Sequence, residues 1–259
     1  MQKQQYIAIG IGTLVLLLLY FGMDTIPPKQ KELEKSRALS IEVTGNQNVI
    51  DLAFKNLSKE KQSIIDALQL DVDNASTDSL KIERLKILAS SWYEMGSPAV
   101  SAIYAEQIAE KENTEPSWSI AGTTYMLCAR DESDQKTRDF CSKRALKSFE
   151  MAISLAPDKV EPKINQALVF VDNPEKDNPM KGILMLRELQ QKYPQNTSVL
   201  NQLATLAIKT NQIDKALERL EESYKIDPSN MNTICLLAEV YTLAGNEQKA
   251  VMFRDMCKS

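Results

Sequence analysis

The four cysteines are the residues of this sequence whose type and spacing allow the most specific chemistry. They are Cys128, Cys141, Cys235 and Cys257, and no two of them form the C-x2-C spacing of a zinc site. The sequence contains no histidine, which removes the commonest metal ligand and the Ser-His-Asp and Cys-His catalytic sets. We find no Gly-rich phosphate loop, and therefore expect no catalytic residue, no metal site and no cofactor.

The overall composition favours a helical protein that does not bind nucleic acid, and no small-molecule substrate is evident from the sequence. Lys and Arg number 31 against 35 Asp and Glu, so the formal net charge is -4 and no general basic surface is available for a phosphate backbone. Only 8 of the 259 residues are glycine, which leaves few positions for the tight turns of β-hairpins. We therefore expect an all-α fold.

An uncharged apolar segment, residues 6–23, follows a short tail formed by residues 1–5. As a helix this segment spans about 27 Å, close to the roughly 30 Å hydrocarbon thickness of a bilayer. Residues 24–28 read DTIPP and contain no small-residue cleavage site. The sequence therefore predicts a transmembrane signal-anchor helix in the lipid bilayer at 6–23, with a cleaved secretory peptide as the alternative.

Two further regions separate this segment from the main domain. Residues 24–45 are rich in Lys and Glu, and we interpret them as a solvated stalk. Residues 46–78 contain short amphipathic patterns, which predict a helical N-terminal extension.

Residues 79–259 carry an internal repeat with a period of 34 residues. One copy begins with Trp118, Ala121, Gly122 and Tyr125 in the pattern W-x2-A-G-x2-Y, and the clearest copy spans residues 197–230. These copies resemble the tetratricopeptide repeat (TPR), in which small residues at positions 8, 20 and 27 let two helices pack closely. In the copy at 197–230, those positions are occupied by Ala204, Ala216 and Ser223.

Five copies in this phase cover about 175 of the 259 residues. The resemblance implies a solenoid of about five helix pairs, each of which buries a face on its neighbours. The copy that begins at Glu115 contains about eleven extra residues between its helices, which we expect to loop out. An ordinary helical bundle around a single core is the alternative, although a bundle requires no fixed repeat length.

In the TPR family, the first helices of successive pairs line a concave groove that binds a peptide or protein segment. The resemblance therefore implies the following groove residues, although several of them could instead belong to the core between repeats: Tyr93, Thr123, Met126, Leu127, Ile164, Leu168, Val171, Asn201, Thr205, Lys209 and Glu239. The repeat positions do not cluster Lys and Arg into the clamp that some members use to hold a C-terminal carboxylate.

The repeat phase also predicts how the cysteines pair. Cys128 falls in the last turn of one helix and Cys141 near the start of its partner, while Cys235 and Cys257 fall at facing levels of the last pair. We expect disulfides Cys128–Cys141 and Cys235–Cys257, with buried free thiols as the alternative. Disulfides indicate an oxidising compartment, which for an anchored bacterial-type protein is the periplasm. The basic residues of the stalk favour the cytoplasmic face, which is the alternative location.

These observations predict a membrane-anchored TPR scaffold that binds another protein and recruits a peptide or subunit to an envelope complex through its groove. The alternative function is a structural subunit, packed permanently in a membrane-associated assembly. In that case its groove is empty or filled by its own residues 46–70.

Overall fold

A computed structural model describes residues 45–131 and 134–258, and every regular element in these ranges is an α-helix. The tail at 1–5, the predicted anchor at 6–23 and the stalk up to residue 44 lie outside the described residues. No helix within the described ranges is both long enough and apolar enough to span a bilayer. The twelve helices of these ranges are α1 (Asn46–Lys55), α2 (Lys59–Asp73), α3 (Asp78–Glu94), α4 (Pro98–Glu112), α5 (Glu115–Asp131), α6 (Gln135–Leu155), α7 (Glu161–Asp172), α8 (Lys181–Lys192), α9 (Thr197–Lys209), α10 (Ile213–Ile226), α11 (Met231–Leu243) and α12 (Glu247–Lys258).

The helices from α3 to α12 form five consecutive pairs. Residues from Val49 onward belong to one compact unit, and extensive contacts within it join helices that are adjacent or next but one in the sequence. In two cases a first helix also contacts the first helix of the next pair: α5 contacts α7, and α9 contacts α11. This packing confirms a helical-repeat solenoid for the described residues and rules out a bundle around one centre.

Three of the five pairs turn in the same way between their helices. Gly96, Asn211 and Gly245 have positive φ angles of 82°, 56° and 74°, the left-handed conformation that ends many helices. The residue that follows each of them donates its amide to a carbonyl five residues earlier, as Ser97 N does to Trp92 O at 2.9 Å. A glycine or asparagine at this position of the repeat therefore ends the first helix and starts the return.

Two glycines within helices allow the partner helix to approach closely. A Cβ atom at Gly122 of α5 would lie 2.6 Å from the ring of Phe149 on α6. A Cβ at Gly182 of α8 would lie 2.4 Å from the carbonyl oxygen of Ala167 on α7. Close packing between the helices therefore requires a small residue at repeat position 8 in the pair α5–α6 and at position 20 in the pair α7–α8.

The extra residues of the second pair do not loop out, contrary to our expectation. They lengthen both helices instead, so that α5 continues to Asp131 and α6 begins at Gln135. Asp134 caps α6 by accepting a hydrogen bond from the Thr137 amide at 2.9 Å, which stabilises the early start of the helix. A fixed repeat length shows where residues are added but not their conformation, which is why the sequence alone does not predict the lengthened helices.

The predicted extension at 46–78 contains α1 and α2 and leads into α3 at Asp78. Ile65 and Val72 of α2 are buried in a core shared with α3 and α4. Tyr104 on α4 donates a hydrogen bond to the Gln69 side chain of α2 at 3.0 Å. The extension therefore covers the apolar surface that the first repeat pair would otherwise expose.

Candidate functional site

A groove of about 670 Å³ is formed mainly by α5, α7 and α9, which are the first helices of three successive pairs. The side chains around it belong to Met126, Ala129, Arg130, Arg138, Asn165, Leu168, Val171, Asp172, Gln202, Thr205, Leu206 and Lys209. These residues recur on each first helix because residues three and four apart share a helix face. The stacking of identical pairs thus turns one face of each first helix into a wall of the same groove.

Five of the residues predicted for the groove line it. Met126 and Leu168 form a largely buried floor, with exposed fractions of 6% and 8%. Val171 and Thr205 are half-buried, and Lys209 is exposed at the end of α9. The floor is thus apolar and its upper walls are polar, as in sites that bind extended or helical segments.

Two other predicted groove residues lie in the core between repeats. Ile164 belongs to the large apolar cluster formed by α4 to α9. Asn201 is 1% exposed, and its amide donates to the hydroxyl of Thr233 on α11 at 3.0 Å. Thr233 also lies 2.9 Å from the Ser223 hydroxyl of α10, so the Asn201 side chain joins the last two pairs. A side chain with these partners is not available to a ligand.

The remaining four predicted residues lie outside the groove. Thr123 and Leu127 are half-buried on α5, where the Thr123 hydroxyl donates to the Ser119 carbonyl of its own helix at 2.8 Å. Tyr93 on α3 and Glu239 on α11 are exposed, and they belong to the first and last pairs. The groove therefore involves the three central pairs and not the whole stack.

A charged edge of the groove was missed by the sequence prediction. Arg130, at the end of α5, donates from Nε to Asp172 Oδ2 of α7 at 2.6 Å. Arg138, in the first turn of α6, and Lys209 complete this edge. Arg130 and Arg138 lie in the lengthened part of the second pair, where family positions cannot be assigned. In the sequence, the only indication of this charged edge is the presence of these two basic residues in the insertion.

The disulfide Cys128–Cys141 is present in the structure and lies next to this charged edge. It joins α5 to α6 with a Cα–Cα distance of 6.0 Å, and both cysteines are fully buried. It therefore holds the end of α5, which carries Arg130, against the start of α6, which carries Arg138. The other expected pairing, Cys235–Cys257, is also present and joins α11 to α12 at a Cα–Cα distance of 5.1 Å.

A buried acidic residue stabilises the helices on which the groove is built. Glu106 of α4 is 3% exposed and accepts hydrogen bonds from Tyr125 Oη at 2.6 Å and from Arg144 at 2.9 Å. Burial, with the nearby Glu106 charge, raises the pKa of Tyr125 far above its usual value. The phenol therefore stays protonated and donates to Glu106, which connects the first and second pairs.

A second concavity, of about 300 Å³, lies among α10, α11 and α12. Its aromatic residues pack on one another: Tyr241 stacks on Phe253 at 5.6 Å, and Tyr224 contacts the same ring edge-on at 5.3 Å. No group of three or more His, Cys, Asp or Glu side chains within the described ranges could hold a metal ion. The larger groove is the better candidate for a functional site, because it has more than twice the volume and three successive pairs contribute to its lining.

Comparison with known proteins identifies the fold through solved structures. No family model matches the sequence, and no curated protein matches it. The thermophilic TPR protein TTC0263 of Thermus thermophilus has a TM-score of 0.50 and 15% identity, over 76% of this chain and 100% of that chain.

Two other solved structures are similar at lower TM-scores. MamA of Desulfovibrio magneticus RS-1, from its residue 41 to its end, has a TM-score of 0.40 and 14% identity over 71% of this chain and 96% of that chain. YrrB, a TPR protein with an unusual peptide-binding site, has a TM-score of 0.37 and 14% identity over 76% of this chain and 91% of that chain. The likeness to TTC0263 shows that the described residues have the fold of tetratricopeptide repeat proteins.

Proposed function

We propose that this protein is a non-catalytic scaffold that binds a segment of another protein in the groove of α5, α7 and α9. One observation supports this most strongly: the first helices of three successive pairs contribute to a single groove with an apolar floor and polar walls. When a partner covers the apolar surface of a concave site, water is removed from that surface and the free energy of the complex is lowered. Asn165 and Gln202 on the walls offer amide groups that can pair with a partner backbone.

We further propose that the chain is anchored in a membrane by residues 6–23 and recruits its partner to an envelope complex. The length and the absence of charge in this segment support anchoring. Two disulfides in the repeat domain support an oxidising location, the periplasm in a bacterial cell. Alkylation of thiols in unreduced protein from its native host tests the location. Four reactive thiols would contradict it.

The alternative, a permanent structural subunit with its groove empty or self-filled, gains less support. Val49 and Ile50 of α1 pack against apolar clusters of the repeat domain. However, the groove lining comes from residues between Met126 and Lys209, and the described residues of α1 and α2 are not part of it. An exchangeable partner therefore remains the better proposal.

Photocrosslinking in the native host tests the proposed groove function. We expect a photoreactive amino acid at Gln202 to give one defined adduct, and we expect Val171→Asn in the same chain to remove it. Val251→Asn is the matched control, because Val251 is an exposed valine on α12 outside the groove. An adduct that survives Val171→Asn, or one formed only by a reactive group at exposed Glu150 on α6, would favour permanent packing through another surface.

A further inference from the structure

We infer that the groove of α5, α7 and α9 selects a linear protein segment that carries both acidic and apolar side chains. This inference rests on the proposed function and adds the chemistry of the partner. It follows from the charges around the groove, the contacts that Arg130 and Asp172 already make, and the apolar side chains of the same lining.

The charge around the groove is opposite to that of the whole chain. Three lining side chains are positive, Arg130, Arg138 and Lys209, and one is negative, Asp172. Three positive charges and one negative charge give a balance of +2, whereas the chain has a formal net charge of -4. A partner segment with negative charge is therefore attracted to the groove.

The single acidic side chain of the groove already has a partner. Asp172 accepts a 2.6 Å charged hydrogen bond from Arg130, and this contact also joins α5 to α7 across the groove. Lys209 forms no salt bridge with any residue in the described ranges, and it is exposed at the end of α9. The other positive charges of the lining belong to Arg138 at the start of α6 and Lys209 at the end of α9.

Apolar residues line the same groove as these charges. Leu168 and Val171 of α7 and Leu206 of α9 line the groove, and α7 is the middle of the three helices that form it. An acidic residue of the partner that pairs with Lys209 therefore has the apolar side chain of Leu206 beside it, since residues three apart share a helix face. A concave site of about 670 Å³ fits a peptide segment better than it fits the plane of a lipid bilayer, which is why we favour a protein partner.

Designed peptides test this inference on the full chain in nanodiscs of neutral lipid. The probes are fluorescent peptides of about twelve residues, capped at both ends, in which leucines are separated by Ser and by either Glu, Gln or Lys. We expect the Glu peptides to bind about tenfold more tightly than the Gln peptides, with the Lys peptides weakest, because charge complementarity strengthens encounter and binding. The capped ends exclude recognition of a terminal carboxylate. Fluorescence anisotropy measures the three affinities.

Charge reversal within the groove provides the second part of the test. Arg138→Glu with Lys209→Glu should abolish the preference for Glu peptides and favour Lys peptides. Lys143→Glu is the matched control, because Lys143 is an exposed basic residue of α6 outside the groove, and it should leave the order unchanged. Circular dichroism establishes that each variant keeps its helices.

The possible outcomes separate this inference from the proposed function. Equal binding of the three peptide series, lost on Val171→Asn, would overturn the charge preference and leave the groove function standing. Binding that no groove substitution affects, or no binding at all, would overturn both. Displacement of the Glu peptides by phosphatidylglycerol vesicles, lost in the double charge variant, would identify the basic edge as a lipid contact and overturn the inference.

Discussion

At the scale of single residues, the interior of this protein depends on a few polar side chains that have specific partners. Glu106 is a buried carboxylate with a phenol and a guanidinium as donors, and removal of one donor from such a charge is costly. Asn201 and Thr233 form a similar buried contact between the last two pairs. Nothing in a 34-residue pattern distinguishes these polar residues from those exposed to water, since their partners lie on other helices.

The Tyr125 phenol predicts a specific dependence of stability on pH. Burial raises the pKa of Tyr125 in the folded state, whereas the unfolded chain loses the proton near pH 10. Its hydrogen bond is therefore fully stabilising below pH 10, and the contribution is lost as the pH rises above that value. We expect Tyr125→Phe to lower the free energy of unfolding by about 1–3 kcal/mol at pH 7. This difference from wild type should shrink above about pH 10.

Urea unfolding at pH 7, 9 and 10.5 measures that difference. Tyr93→Phe is the control, because Tyr93 is 48% exposed and its hydroxyl should contribute little at any of these values. A gap between wild type and Tyr125→Phe that stays constant up to pH 10.5 would show that the buried phenol does not control alkaline stability.

At the scale of elements, the helix pairs depend on close packing and on covalent links. Gly182 places α8 directly against the backbone of α7, where a Cβ would lie 2.4 Å from Ala167 O and 2.7 Å from Val171 N. Because Val171 also lines the groove, the packing of this pair determines part of the binding surface. The sequence predicted the small residue from its repeat position, and the structure adds the contacts that require it.

We expect Gly182→Ala to destabilise the protein by about 1–3 kcal/mol, as overpacking does. Alanine is the better helix former by about 1 kcal/mol, so without the close contact the substitution would stabilise the protein. The sign of the change in stability therefore tests the contact. Thermal unfolding measures it, with Leu184→Ala as the control, since Leu184 is an exposed residue of the same helix. A higher unfolding temperature for Gly182→Ala would mean that α7 and α8 are not in such close contact.

The disulfide Cys128–Cys141 closes a short loop around the junction of α5 and α6. Closing a loop of this size restricts the unfolded chain, and we expect Cys128→Ala with Cys141→Ala to lose about 3 kcal/mol of stability. Unfolding with and without reductant measures the effect on the free energy of unfolding. In the double variant, reductant should no longer cause the part of the stability loss that comes from opening Cys128–Cys141. Equal stability of oxidised and reduced wild-type protein would contradict a stabilising role for the link.

At the scale of the whole molecule, the sequence was sufficient to predict the repeat and its small packing residues, but only part of the groove. Met126, Leu168 and Val171 were found because family positions could be carried over in phase. Arg138 was not found, because it lies in an insertion that lengthens a helix where a loop was expected. The repeat position of Asn201 predicts a groove residue, but the structure places it in the core. Its partner Thr233 lies on the next pair, so a single repeat does not reveal the contact.

The central claim is that the partner binds across α5, α7 and α9, and amide hydrogen exchange tests it most directly. The full chain is compared with and without the partner that co-purifies with it from its native host. We expect slower exchange in the C-terminal halves of α5, α7 and α9, which carry most of the groove lining. Protection confined to the second helices α4, α6, α8 and α10, or to α12, would contradict the claim.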